Sequence, residues 1–115
     1  MKPRLLTDVI VALATPAGRG ALAVIRVSGP GSVDLVGGVF RGRRPLADLP
    51  GYSGAFGRLA DASGDIDEAV AWVYRSPHSY TGEDMVEISA HGGSVSARRI
   101  LGALQSAGAR PADPG

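Results

Sequence analysis

The chain has 115 residues, 44% of them hydrophobic and 20% charged, with a formal net charge of +1 and no cysteine. That length suits one domain of ordinary size, and the missing thiols exclude disulfides, thiolate metal sites and cysteine nucleophiles together. The near-neutral balance writes neither a nucleic-acid field nor an acidic tail into the composition.

Lys2 is the single lysine, so arginine supplies the remaining positive charge. With one Trp, three Tyr and two Phe, the core must rely on alanine, valine and leucine. The N-terminal run MKPRLLTDVIVALATP begins basic and turns apolar, but Thr7, Asp8 and Pro16 interrupt it, which rejects a secretory signal. No apolar run approaches the roughly 20 residues of a membrane span. The default expectation is a cytoplasmic protein with no membrane partner.

Residues 8–14 (DVIVALA) are β-branched and apolar and predict a strand. TPAGRG at 15–20 reads as loop, and 21–28 (ALAVIRVS) as a second strand stopped by Gly29-Pro30-Gly31. A short helix is expected over 32–40 behind Ser32 as its cap, weakened by Gly37 and Gly38. Residues 41–51 look irregular. Residues 52–60 and 68–75 flank DASGDID, a hairpin signature with a Ser-Gly-Asp tip. A fifth strand falls at 84–90 (DMVEISA). From about 94 to 107, Ala97, Ile100, Leu101 and Leu104 recur on one helical face, and Gly108 suits the C′ position. The tail ARPADPG, with two prolines, predicts no stabilising element. About five strands and two helices, with residues 1–115 as one unit, predict an α+β domain built on a mixed sheet.

Gly18-Arg19-Gly20-Ala21-Leu22-Ala23 matches the dinucleotide fingerprint G-x-G-x-x-G/A. Its mechanism needs a helix N-terminus next, whereas Val24, Ile25 and Val27 are strand formers. No G-x-x-x-x-G-K-[ST] occurs, so this chain carries no P-loop. Two charges inside apolar strands are more informative. Arg26 shares a strand face with Leu22 and Val24. Glu87 shares one with Met85, Ser89 and His91, while Val86, Ile88 and Ala90 line the other. Buried without partners, such charges are costly. Two readings stay open at this point: a mutual ion pair or solvent-facing side, and a ligand site. In a ligand site the carboxylate would accept two N–H donors of a planar heterocycle and the guanidinium would meet a carbonyl or carboxylate.

His78 and His91 lack a third ligand at a recognised spacing, so no metal site is expected. No nucleophile–base arrangement predicts a catalytic residue. His91-Gly92-Gly93 reads as a tight turn into a helix, with anion binding by its amides as the alternative. Arg41, Arg43 and Arg44 read as a solvated basic loop, with a tRNA contact as the alternative.

Three segments, DVIVALATPAGRGALAVIRVSG (8–29), SPHSYTGEDMVEISAHGG (76–93) and GARPADPG (108–115), together resemble the N-terminal domain of the MnmE (TrmE) family of tRNA uridine-modification GTPases. Their order and spacing make the resemblance cover nearly the whole chain, most specifically at 76–93 and only loosely over 30–67. It implies a fold like the folate-binding domain of one-carbon enzymes, a homodimer, and 5-formyltetrahydrofolate at or near the dimer interface. The family's folate-contacting arginine and glutamate match Arg26 and Glu87, which favours the ligand reading. After the Pro-Gly of the tail, the family continues with Glu-Phe, an Arg-Ala-Phe stretch and a lysine that also helps hold folate, whereas this sequence ends at Gly115.

The expectation is therefore an isolated N-terminal domain without the helical and GTPase domains. GTP, Mg and K would belong only to the GTPase domain, so this chain alone would neither hydrolyse GTP nor modify tRNA, and would hold folate weakly. For the complete protein the resemblance implies tRNA and an MnmG-like, flavin-dependent partner in the 5-carboxymethylaminomethyl-uridine pathway. The alternative is a purely structural dimerisation scaffold in which Arg26 and Glu87 pair with each other.

Overall fold

The computed structural model describes residues 8–14, 22–79, 82–91 and 94–112. The elements in order are β1 (Ile10–Leu13), β2 (Leu22–Ser28), α1 (Ser32–Gly37), β3 (Phe40–Gly42), β4 (Ser53–Asp61), β5 (Gly64–Tyr74), β6 (Met85–His91), α2 (Ser94–Ser106) and β7 (Arg110–Pro111). A single turn of 3₁₀ helix at Leu46–Asp48 joins β3 to β4. The strands form one sheet in the order β3-β4-β5-β6-β2-β1-β7. Among the described residues only the β1–β7 pairing is parallel, which makes the sheet mixed.

Period-two alternation decides which face is covered. On β6, Val86 and Ile88 are 0% exposed and Ala90 2%. On β2, Ile25 and Val27 are equally buried. These side chains join Val33 and Val36 of α1 and Ile100 and Leu104 of α2 in a single core. Both helices thus lie on one face of the sheet, giving two layers. The opposite face carries no helix among the described residues. Among the described residues, no helix is long and apolar enough to cross a membrane.

The α+β architecture and the two helices among the described residues agree with expectation, but there the sheet has seven strands where about five were expected. The helix expected over 32–40 ends at Gly37, and Phe40 already lies in β3, paired with Leu59. This three-residue edge strand falls where the sequence looks irregular, because Gly42, Arg43 and Arg44 obscure its alternation. The β4–β5 hairpin is longer than predicted: β5 starts at Gly64, and the turn is confined to Ala62 and Ser63.

The tail corrects a further expectation. Arg110–Pro111 pairs with β1, the Arg110 N–H donating to the Val9 carbonyl at 2.8 Å and the Ala112 N–H to Val11 at 2.9 Å. Pro111 lies between these two donors on an edge strand, where its missing N–H is tolerated. Arg110 also holds Asp8 by a salt bridge of 2.6 Å. The α2 terminus behaves as expected: Gly108 has φ 124°, and the Ala109 N–H reaches back to the Leu104 carbonyl at 3.0 Å.

Candidate site on the open sheet face

The residue order of β2 and β6 makes Arg26 and Glu87 direct neighbours although 61 positions separate them. Antiparallel pairing sets Arg26 opposite Glu87, and the Arg26 Nε–H donates to Glu87 Oε2 at 3.0 Å. Their side chains are 38% and 24% exposed, so the pair lies on the open face, half in solvent. The geometry of the ion-pair reading is therefore realised. It does not oppose a ligand: the bond uses Oε2 and leaves Oε1 for a further donor.

The register continues the row outward on both sides. Ala12 of β1 lies beside Arg26, and Trp72 of β5 lies beside Glu87, followed by Gly54 of β4. Sequence reasoning had not singled out Trp72. The available signal was its period-two spacing with Glu68 and Val70 on β5, opposite a strand rich in glycine. The next row carries Val24, Ser89, Val70 and Phe56. Trp72, Phe56, Val70, Ser89, His91 and Glu68 line an open cleft of about 300 Å³. Three large aromatics, Tyr52, Phe56 and Trp72, are 68%, 63% and 41% exposed. Tyr52 meets Tyr74 edge to face at 5.9 Å.

At the far end of β6, His91 is not only a turn residue. Its backbone N–H donates to Asp67 Oδ2 at 3.0 Å and its Nδ1 lies 3.0 Å from Oδ1 of the same carboxylate. This hydrogen bond, with the attraction of the carboxylate, raises the imidazole pKa above its ordinary 6.5. Burial opposes ionisation of Asp67, but hydrogen bonds from His91 and the Glu68 amide outweigh it and lower its pKa. Residues 92–93, and with them most of the proposed turn, lie outside the described residues, as does Thr81 of the Thr81-Asp84 segment. In the described part of that segment, Asp84 accepts the Ser76 N–H at 2.7 Å through Oδ1 and the Ser32 hydroxyl at 2.9 Å through its carbonyl.

The remaining candidates stay apart from this face's central row. Leu22 to Ser28 is strand, so no helix N-terminus follows the glycine fingerprint, whose residues 18–21 are not described. Arg41 donates to the carbonyls of Gly38 and Phe40, and Arg44 to that of Asp48, which satisfies part of the basic loop internally. Among the described residues, no group of three or more His, Cys, Asp and Glu is placed to hold a metal ion.

The described residues thus form a two-layer α+β domain with one uncovered, aromatic-bearing sheet face and an ion pair at its centre. Its affiliation is definite: the chain belongs to the family of the GTP-binding protein TrmE N-terminus, whose sequence profile matches residues 9–115. It is 50% identical to the tRNA modification GTPase MnmE of Chlorobium phaeobacteroides over 98% of this chain and 25% of that protein. The MnmE proteins of Salinibacter ruber and Thermus thermophilus are 46% and 45% identical, over 95% and 96% of this chain. The corresponding shares of those two proteins are 24% and 26%. The chain thus spans about a quarter of the length of the curated relatives it matches.

Proposed function

We propose that this domain binds 5-formyltetrahydrofolate on the open sheet face and homodimerises, serving a GTPase that modifies the wobble uridine of tRNA. The observation that carries the reading is the placement of Arg26 and Glu87 side by side, half-exposed, where the family's folate-contacting residues fall. The residues fit the group. A 2-amino-4-oxopyrimidine edge offers adjacent N–H donors to Glu87, and Arg26 supplies a donor for a carbonyl or carboxylate. When bound, the folate would carry a one-carbon unit at the formyl oxidation level. The chain's own part is to hold the ring edge and to orient it against the sheet. GTP, Mg, K, tRNA and an MnmG-like flavin-dependent partner enter at the level of the complete protein.

Calorimetric titration of 5-formyltetrahydrofolate tests the site. Wild type should bind and Glu87→Ala should bind at least about tenfold more weakly, the scale of a charge-assisted hydrogen bond. Equal binding by the two proteins would sink the assignment. The scaffold reading is favoured by one observation, the three exposed aromatics on an uncovered face. Sedimentation separates the two: a dimer that persists without folate, in a protein that shows no heat of binding, supports the scaffold.

A further inference from the structure

The indole of Trp72 does not stand upright on the sheet. A Cβ added to Gly54 would lie 2.7, 2.9 and 2.9 Å from Cε3, Cδ2 and Cζ3, three adjacent carbons of the six-membered ring. Near-equal distances to adjacent ring atoms mean that the ring is met through its face; an edge-on approach would leave two of them much farther away than the third. The indole therefore lies flat over Gly54, in space that any other residue would fill, and 41% of Trp72 remains exposed. Its cross-strand neighbour on the other side is Glu87. Directly opposed side chains start about 5 Å apart. A flat π-surface thus borders a carboxylate whose second oxygen is open to a donor.

The geometry points to Trp72 as the platform on which the ring of a bound ligand stacks, with Gly54 as the residue that lays the platform flat. This rests on the folate reading and deepens it. The planar pyrimidine end of the ligand lies parallel to the indole, and its N–H edge meets Glu87 in the ring plane. A ring parallel to the sheet is the orientation in which one side chain can stack and its strand neighbour can accept in-plane hydrogen bonds. The cleft beyond Trp72, walled by Phe56 and running past Ser89, then receives whatever extends from the ring.

The test uses the 115-residue chain, dissociation constants from calorimetry, and the emission of Trp72, the only tryptophan present. Probes are 5-formyltetrahydrofolate, the fragment 2-amino-4-oxopteridine, and p-aminobenzoylglutamate. Trp72→Leu should weaken the first two about tenfold, the scale of one ring stacked on an aromatic side chain, and weaken p-aminobenzoylglutamate, which has no pteridine to stack, clearly less. Trp72→Phe, which keeps a smaller ring, should weaken them less. Gly54→Ala, which retains Trp72 and Glu87 but lifts the indole, should weaken them and reduce the quenching of Trp72.

If Glu87→Gln weakens binding while Trp72→Leu and Gly54→Ala bind as wild type, the platform is overturned and the folate site stands. If the Trp72 and Gly54 variants weaken binding and Glu87→Gln does not, the platform stands and the role of Glu87 fails. Absence of binding by wild type to all three probes overturns both.

Discussion

Arg26 and Glu87 are half-exposed, so their mutual attraction is strongly screened and contributes little to stability on its own. Glu87→Gln should therefore cost less than about 1 kcal/mol in urea denaturation, because water solvates both groups once they part. A loss well above that would mean that the pair serves the fold and would favour the scaffold reading.

The His91–Asp67 contact is different in kind, because it titrates. His91 has a raised folded-state pKa, so its contribution is complete below 6.5 and is lost as pH rises through the raised value. Asp67 has a lowered one, so its contribution is present above 3.8 and is lost as pH falls through the lowered value. The melting temperature of His91→Gln should accordingly fall furthest below wild type between pH 3.8 and 6.5, the interval bounded by the two ordinary values. The gap should close above that interval. A gap that widened toward pH 9 would exclude the contact as its origin.

At the scale of elements, α2 carries the larger energies. Leu104 is 0% and Ile100 1% exposed, both in the core beneath the sheet. Leu104→Ala should lower the urea midpoint by an amount equivalent to about 2–5 kcal/mol, the range for a large-to-small core change. The helix is also tied to the β4–β5 hairpin by Arg99, whose Nε–H and terminal N–H donate to both oxygens of Asp61 at 3.2 and 3.0 Å. These hydrogen bonds lower the pKa of Asp61 and raise that of Arg99.

The link from β2 to α1 depends on Gly29, with φ 138° and the position of a Cβ only 2.3 Å from the Asp8 carbonyl oxygen. Gly29→Ala should destabilise the domain by about 2 kcal/mol or more, since it adds a steric conflict to an unfavourable backbone region. A melting temperature equal to that of wild type would show the turn to be more tolerant than its geometry implies.

At the scale of the whole molecule, the uncovered face is where the proposed association would take place. Phe56 is 63% exposed and lies outside the core, so Phe56→Glu should fold with near wild-type stability. On the dimer reading it should shift sedimentation toward monomer, because a charge would enter an apolar contact. Unchanged association would place the interface elsewhere.

The sequence by itself determined much of this. Alternation in ALAVIRVS and DMVEISA separated a core face from an open one and isolated Arg26 and Glu87 as charges that need a reason. The periodic apolar positions located α2, and Gly108 marked its end. These are local patterns, set by a period of two or 3.6 residues. Tertiary structure alone decided which strands are neighbours, and therefore that Arg26 touches Glu87 and that Trp72 flanks it. It also showed that Gly54 lets the indole lie down and that the proline-containing tail adds a strand beside β1. Such contacts join residues far apart in the chain, and pairing across a sheet leaves no mark on the local pattern of either strand.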